Sequence, residues 1–173
     1  GALPVVAPGS LTEDLFRRGF SINAMAVSLS GTNFGEIIDP LGGLLDLKAG
    51  RIRVLHDCSF LDDPTRVIRA FRFASRFGFC FSETTRRLLV DALRHNAPQT
   101  VKPERYFTAF RKTFTEPSPE RCWRKMANAG ALGFLGKRFS PDFTLIHRVG
   151  VGISLLAQQP QYRGSDWPLI YFL

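Results

Sequence analysis

The sequence predicts an α+β chain, a mixed piece up to about Cys58 followed by a mainly helical piece from Ser59 onward. Three observations carry this. Short alternating segments around Ser21–Leu29, Phe34–Asp39 and Arg51–Leu55 have the two-residue period of strands. From Asp62 onward nearly everything has helical period. The 173 residues are 45% hydrophobic and 22% charged, an ordinary globular composition that can fill one substantial core or two small ones.

The elements follow in order. Gly1 to Ser10 is rich in Pro and Gly and reads as an irregular connection. Ser10 or Thr12 can cap a short helix, Glu13–Arg18, acidic in its first turn and basic in its last, with Gly19 at its end. A helical turn from Ser21 leads into a strand, Ser30–Asn33 is a turn, and Phe34–Asp39 returns as the second strand of a hairpin. Asp39-Pro40-Leu41-Gly42-Gly43 breaks that strand, Leu44–Gly50 is a short helix or turn, and Arg51–Leu55 is extended. A helix then spans Asp62 to about Phe77 and stops at Gly78. Ser82 caps a second with Leu88, Leu89 and Leu93 on one face. Pro103 opens a third, Glu104–Phe114, with Tyr106, Phe107 and Phe110 inward. Further helices are predicted over Glu120–Ala129 and Phe143–Leu156, and from Trp167.

The formal charge is +8 and the pI about 10.0, a balance that points toward a polyanionic partner. Between Arg51 and Arg111 twelve Lys/Arg face six Asp/Glu, so the excess centres on the Asp62 helix. Cys58, Cys80 and Cys122 are widely spaced without a CxxC pair, and the three histidines form no ligand-spaced cluster. This argues against a disulfide scaffold and a zinc site and suits a reducing, cytoplasmic compartment. No apolar run reaches the roughly 18–20 residues of a membrane span, so no membrane partner is expected. Both ends of the chain read as the interior of a longer protein.

The Asp62 helix carries the most chemistry. Asp63 can cap its free amides and Pro64 suits its first position. At about 100° per residue, Arg66, Arg69, Arg72 and Arg76 share one face, while Val67, Phe71 and Ala74 centre on the other. Guanidinium groups with carboxylates at the helix start make a surface for polyphosphate or base edges. Taken alone, the same pattern reads as a solvated amphipathic face with Asp62 and Arg66 paired at i, i+4.

Three motifs in order change that balance: Glu13-Asp14-Leu15-Phe16-Arg17-Arg18-Gly19-Phe20-Ser21-Ile22-Asn23-Ala24-Met25-Ala26, then Ile38-Asp39-Pro40-Leu41-Gly42-Gly43-Leu44-Leu45-Asp46-Leu47, then Asp62-Asp63-Pro64-Thr65-Arg66-Val67-Ile68-Arg69-Ala70-Phe71-Arg72-Phe73. Together they resemble class II tRNA nucleotidyltransferases and bacterial poly(A) polymerases, which add A or CCA without a template. The resemblance runs from about Gly1 to Phe81 and more weakly through Lys102–Leu135. It implies the C-terminal part of a nucleotidyltransferase head with a few-stranded mixed sheet over 1–58, a helical neck over 59–115, and the start of a helical body over 116–173. It implies nucleotide-binding roles for six residues. Arg18 contacts the incoming nucleotide, Asn23 belongs to the nucleotide-handling region, Asp63 and Arg66 read the base of ATP or CTP, and Arg69 and Arg72 lie toward the phosphates. The implied partners are nucleoside triphosphates and the 3′ end of tRNA.

Two departures stand out. Gly19 occupies a position where the family usually has an Asp associated with ribose recognition, and Asp62-Asp63 replaces the usual Glu-Asp. The family also uses an Asp-x-Asp pair that binds Mg²⁺, upstream of the first motif. Nothing before Glu13 supplies it, so no catalytic or metal-binding residue is assigned here and the chain alone is expected to be inactive. The alternatives are a non-catalytic basic RNA-binding module derived from that family, and a helical interaction domain whose arginines bind an acidic partner. Asn23, Asp39, Asp46 and Gly42-Gly43 also have plain structural readings as caps and turns.

Overall fold

In a computed structural model, residues 9–136 and 139–159 are described. The first eight residues and the helix expected from Trp167 lie outside them. Helix α1 (Leu11–Phe16) is capped by Ser10, not Thr12. The Ser10 hydroxyl accepts from the Glu13 amide at 3.2 Å, and the Glu13 carboxylate accepts from the Ser10 amide at 2.7 Å. A single 3₁₀ turn, Ser21–Asn23, leads into β1 (Ala26–Val27), which pairs antiparallel with β2 (Ile37–Ile38) as the expected hairpin.

Helix α2 (Gly43–Lys48) opens where Gly42 takes a left-handed φ of 70°. Both Asp39 oxygens accept from its first amides, Gly43 at 2.7 Å and Leu44 at 2.8 Å, so Asp39 is a helix cap. The Gly43 backbone lies flush against the Ser21 carbonyl, where a Cβ has no room. Asp46, 2% exposed, accepts from the Ser21 hydroxyl at 2.7 Å, Arg51 Nε at 2.7 Å and Arg53 Nε at 2.6 Å. Burial alone would raise its carboxyl, but these three donors outweigh burial and hold its pKa below the ordinary carboxylate value. Asp46 thus ties the 3₁₀ turn, α2 and β3 (Arg51–Ile52) into one unit.

Strand β3 pairs in parallel with β4 (Cys80–Phe81), a two-residue strand too short to carry a period and absent from the sequence prediction. This pair crosses the Ser59 boundary, as does a single core running from Phe20 through Val67 and Phe71 to Trp123 and Val149. The expected Asp62 helix is two helices. Helix α3 (Ser59–Asp62) stops at Asp63, whose φ of −142° and ψ of 87° are extended, and α4 (Thr65–Arg76) begins after Pro64. The cause is local, because a proline disfavours helical backbone in the residue before it.

Helix α4 is the central element, packed on α3, β3, α6 (Pro103–Phe114) and α7 (Pro119–Asn128). Its buried side chains are Thr65, Val67, Ile68, Ala70, Phe71 and Ala74. On the arginine side Phe73 meets Phe20 edge-on at 5.6 Å, joining α4 to the mixed piece. Helix α5 (Glu83–Arg94) is capped by Ser82 as expected. In α6, Tyr106, Phe110 and Phe114 face inward around Trp123, but Phe107 is 45% exposed, contrary to expectation. The helical wheel does not separate it from buried Phe114, about 20° away; the inward rings are set by their partners, Tyr106 against Phe134 and both Phe110 and Phe114 against Trp123. Helix α8 (Phe143–Ala157) packs on α6 and α7. Among the described residues no helix is long and apolar enough to cross a membrane.

Candidate functional site

The site begins at the break before α4. Because Pro64 holds Asp63 extended, the Asp63 carboxylate lies across the first turn. Its Oδ1 accepts from the Thr65 hydroxyl at 2.6 Å, the Thr65 amide at 3.2 Å and Arg105 Nη2 at 3.2 Å. Oδ2 accepts no hydrogen bond from the described residues and has Arg66 Nε at 3.9 Å. One oxygen therefore serves as the cap, and the other is left as an acceptor without a hydrogen bond among the described residues.

Arg66 is only 12% exposed at its side chain, so the stripe begins as a braced group and not a solvated one. Its Nη1 donates to the Ser59 carbonyl and hydroxyl, both at 3.1 Å, with His56 Nε2 at 3.4 Å. Its Nη2 reaches the Arg17 carbonyl at 3.4 Å. His56 stacks on Phe16 with ring centroids 5.9 Å apart, which fixes this wall of the cradle against α1. The expected Asp62–Arg66 pair is not formed. Asp62 ends α3 and turns toward His56 at 3.8 Å, because the break at Asp63 removes the i, i+4 relation. The Gly19 backbone passes so close that a Cβ there would stand 3.7 Å from Arg66 Nε, an ordinary contact.

Along α4 the arginines diverge in role. Arg69 is half-buried, and burial lowers its guanidinium pKa; Asp63 opposes the shift, while Arg72 and Arg66 add to it. Arg72, 16% exposed, stands 3.7 Å from the buried carboxylate of Glu116 and lies over the Phe73 ring at 5.1 Å. Arg76 reaches the same Glu116 at 3.2 Å. Arg69 and Arg72 line one wall of a cleft of about 410 Å³ whose other wall is α6, with Arg105, Thr108 and Lys112. Buried Tyr106 lies beside this region. Burial and the Asp63 charge push its phenol above the ordinary value.

The structure places Arg66, Arg69 and Arg72 along α4 with Asp63 in the break just before it, and it places the other two residues elsewhere. Arg18 turns back along α1 to Asp14 at 2.8 Å. Asn23 accepts from the Phe20 amide at 3.1 Å and closes its own 3₁₀ turn. Sequence reasoning missed Ser59, His56, Thr65, Arg105 and Glu116. Of these, Arg105 carried a signal, since with Thr108 and Lys112 it makes a polar stripe at i, i+3, i+7 on α6. Among the described residues no group of three or more His, Cys, Asp and Glu side chains converges as metal ligands. Asp62 and Asp63 diverge to different partners and do not fit a paired-carboxylate Mg²⁺ site.

The family model for the poly A polymerase head domain matches residues 4–53. The A-adding tRNA nucleotidyltransferase of Halalkalibacterium halodurans is 41% identical over 128 residues, 73% of this chain and 30% of that protein. The chain belongs to the class II tRNA nucleotidyltransferase family. A CCA-adding enzyme in complex with CTP superposes on it with a TM-score of 0.74 at 37% identity, covering 87% of this chain and 37% of the other. A tRNA nucleotidyltransferase complexed with a primer tRNA and an incoming ATP analog gives 0.76 at 32% identity, covering 96% and 49%. The α+β fold class is therefore that of the nucleotidyltransferase family. The chain spans less than a third of the length of the curated relatives it matches.

Proposed function

We propose that this chain supplies the base-selecting part of a nucleotidyltransferase that adds AMP or CMP, from ATP or CTP, to the 3′ end of tRNA. The observation that carries this is the pairing of an unbonded acceptor, Asp63 Oδ2, with the braced guanidinium of Arg66. Adenine and cytosine each present an exocyclic amine beside a ring nitrogen acceptor, which is the complement of a carboxylate beside a guanidinium. Guanine and uracil present the reverse, a carbonyl beside an N–H, and meet like against like. A rigid α4, held by Ser59 and the Asp63–Pro64 break, keeps donor and acceptor at fixed separation, as a surrogate for a template must.

In this reading Arg69 and Arg72 lie toward the nucleotide's phosphates. Arg18 and Asn23 join from the head side once a nucleotide is present, and Arg18 must then leave its exposed pair with Asp14. The three-part division into head (1–58), neck (59–115) and start of a body (116–173) goes with the same reading. The resemblance implies an Asp-x-Asp pair that holds Mg²⁺ upstream of the first motif, and in this reading the 173 residues bind and select a nucleotide without joining it. Titration of the chain with the four nucleoside triphosphates tests the selection. ATP and CTP binding at least about tenfold tighter than GTP and UTP is expected, and equal binding of all four contradicts it. Mg²⁺-dependent nucleotide addition by the chain alone would contradict the second statement.

A second reading, a basic RNA-binding module without catalysis in its parent, is favoured by Gly19. It predicts RNA binding with no preference among nucleotides.

A further inference from the structure

We propose that the cleft between α4 and α6 is a track for the phosphodiester backbone of a single-stranded RNA 3′ end, with Arg105, Thr108 and Lys112 as its outer wall. The inner wall, Arg69 and Arg72, is the one assigned above to the nucleotide's phosphates. Helix α6 supplies a second wall that this assignment leaves unused, and to that extent the proposal rests on the same reading of the site.

Four cations and two hydroxyls, those of Thr65 and Thr108, line the roughly 410 Å³ of the cleft, and no carboxylate does. Guanidinium, ammonium and hydroxyl groups are the donors that hold nucleic-acid phosphates in register without reading sequence. Burial already lowers the Arg69 pKa, and the neighbouring Arg72 and Arg66 on its own helix add to it against the opposing charge of Asp63. An anion relieves both. From Arg105 to Lys112 the wall runs seven residues, about 10 Å along the helix axis. That is a row longer than one phosphate group and open at the surface, which suits a strand better than a compact ion. The row also starts beside the base reader, since Arg105 is in contact with Asp63 at 3.2 Å. A strand lying in it would bring its 3′ end toward the nucleotide.

The test is fluorescence anisotropy of the 173-residue chain with a short 5′-labelled single-stranded RNA across a salt series. Lys112→Glu and Thr108→Glu are each expected to weaken RNA binding about tenfold, and Lys112→Glu to lower the log–log salt slope by about one. Arg86→Glu, on α5 against the opposite side of α4, is the control for plain loss of positive charge and should change affinity less than about twofold. Equal losses in Arg86→Glu and Lys112→Glu, or no loss in a folded Lys112→Glu, would overturn the track. Binding of inorganic tripolyphosphate that Lys112→Glu abolishes, with RNA binding retained, would reassign the wall to free nucleotide and also overturn it. RNA binding that depends on Lys112 supports the track even if the wild-type chain shows no preference among nucleotides. Failure of the track and failure of the nucleotide reading are thus separable.

Discussion

Asp46 and Asp63 are both aspartates beside arginines, and the difference between them separates scaffold from site. Asp46 is 2% exposed, and both of its oxygens are taken by short bonds from Ser21, Arg51 and Arg53. Nothing is left to offer a ligand. Asp63 is 21% exposed at its side chain, spends Oδ1 on the cap and on Arg105, and keeps Oδ2 for an incoming donor. Its arginine partners differ in the same way. Arg105 is 61% exposed and exchangeable, whereas Arg66 is 12% exposed and held by a carbonyl and a hydroxyl of another helix. A carboxylate fully satisfied within the fold holds the fold together. One half satisfied and partly exposed keeps an acceptor to offer.

That contrast can be broken by mutation, most strongly at the scaffold. Asp46→Ala strips the carboxylate from two arginines and a buried hydroxyl, and should cost about 3 kcal/mol in denaturant unfolding. Gly43→Ala forces a Cβ into the Ser21 carbonyl beside that centre and should cost about 2 kcal/mol by the same measurement. Acid probes Asp46 without mutation. Because its folded pKa is lowered, the unfolded chain binds a proton more readily, and the stability Asp46 contributes is present above the unfolded value of 3.8 and lost as pH falls through the folded one. The melting temperature should therefore fall below about pH 4, and less steeply in Asp46→Asn. At Asp63 the stability effect is the smallest. Asp63→Asn keeps an oxygen for the Thr65 cap and should cost under about 1 kcal/mol.

How much of this was legible in the sequence follows the range of the interactions. The hairpin, the caps at Ser10 and Ser82 and the helices from Glu83 onward are set by neighbours within a few residues, and they were readable. The break at Asp63 was also local. A proline biases the preceding residue away from helix, yet the strong helical period on its far side masked that signal. Other features depend on contacts across the fold. The arginine stripe was visible as a pattern, but its wiring was not. Arg105 reaches Asp63 across 42 residues, and Glu116 braces Arg72 and Arg76 from the connection between α6 and α7. The β3–β4 pair, two residues each, falls below any period. At the candidate site, residue types and order singled out Asp63 and Arg66, and the fold added which oxygen of Asp63 lacks a hydrogen bond among the described residues.

The claim that this free oxygen selects the nucleotide is tested most directly by Asp63→Asn in the four-nucleotide titration. An amide placed at Oδ2 offers a donor where a carboxylate only accepts, so ATP and CTP binding should fall about tenfold while UTP and GTP gain, with the fold intact. An unchanged preference for ATP and CTP in folded Asp63→Asn would contradict the account and leave Asp63 a helix cap alone.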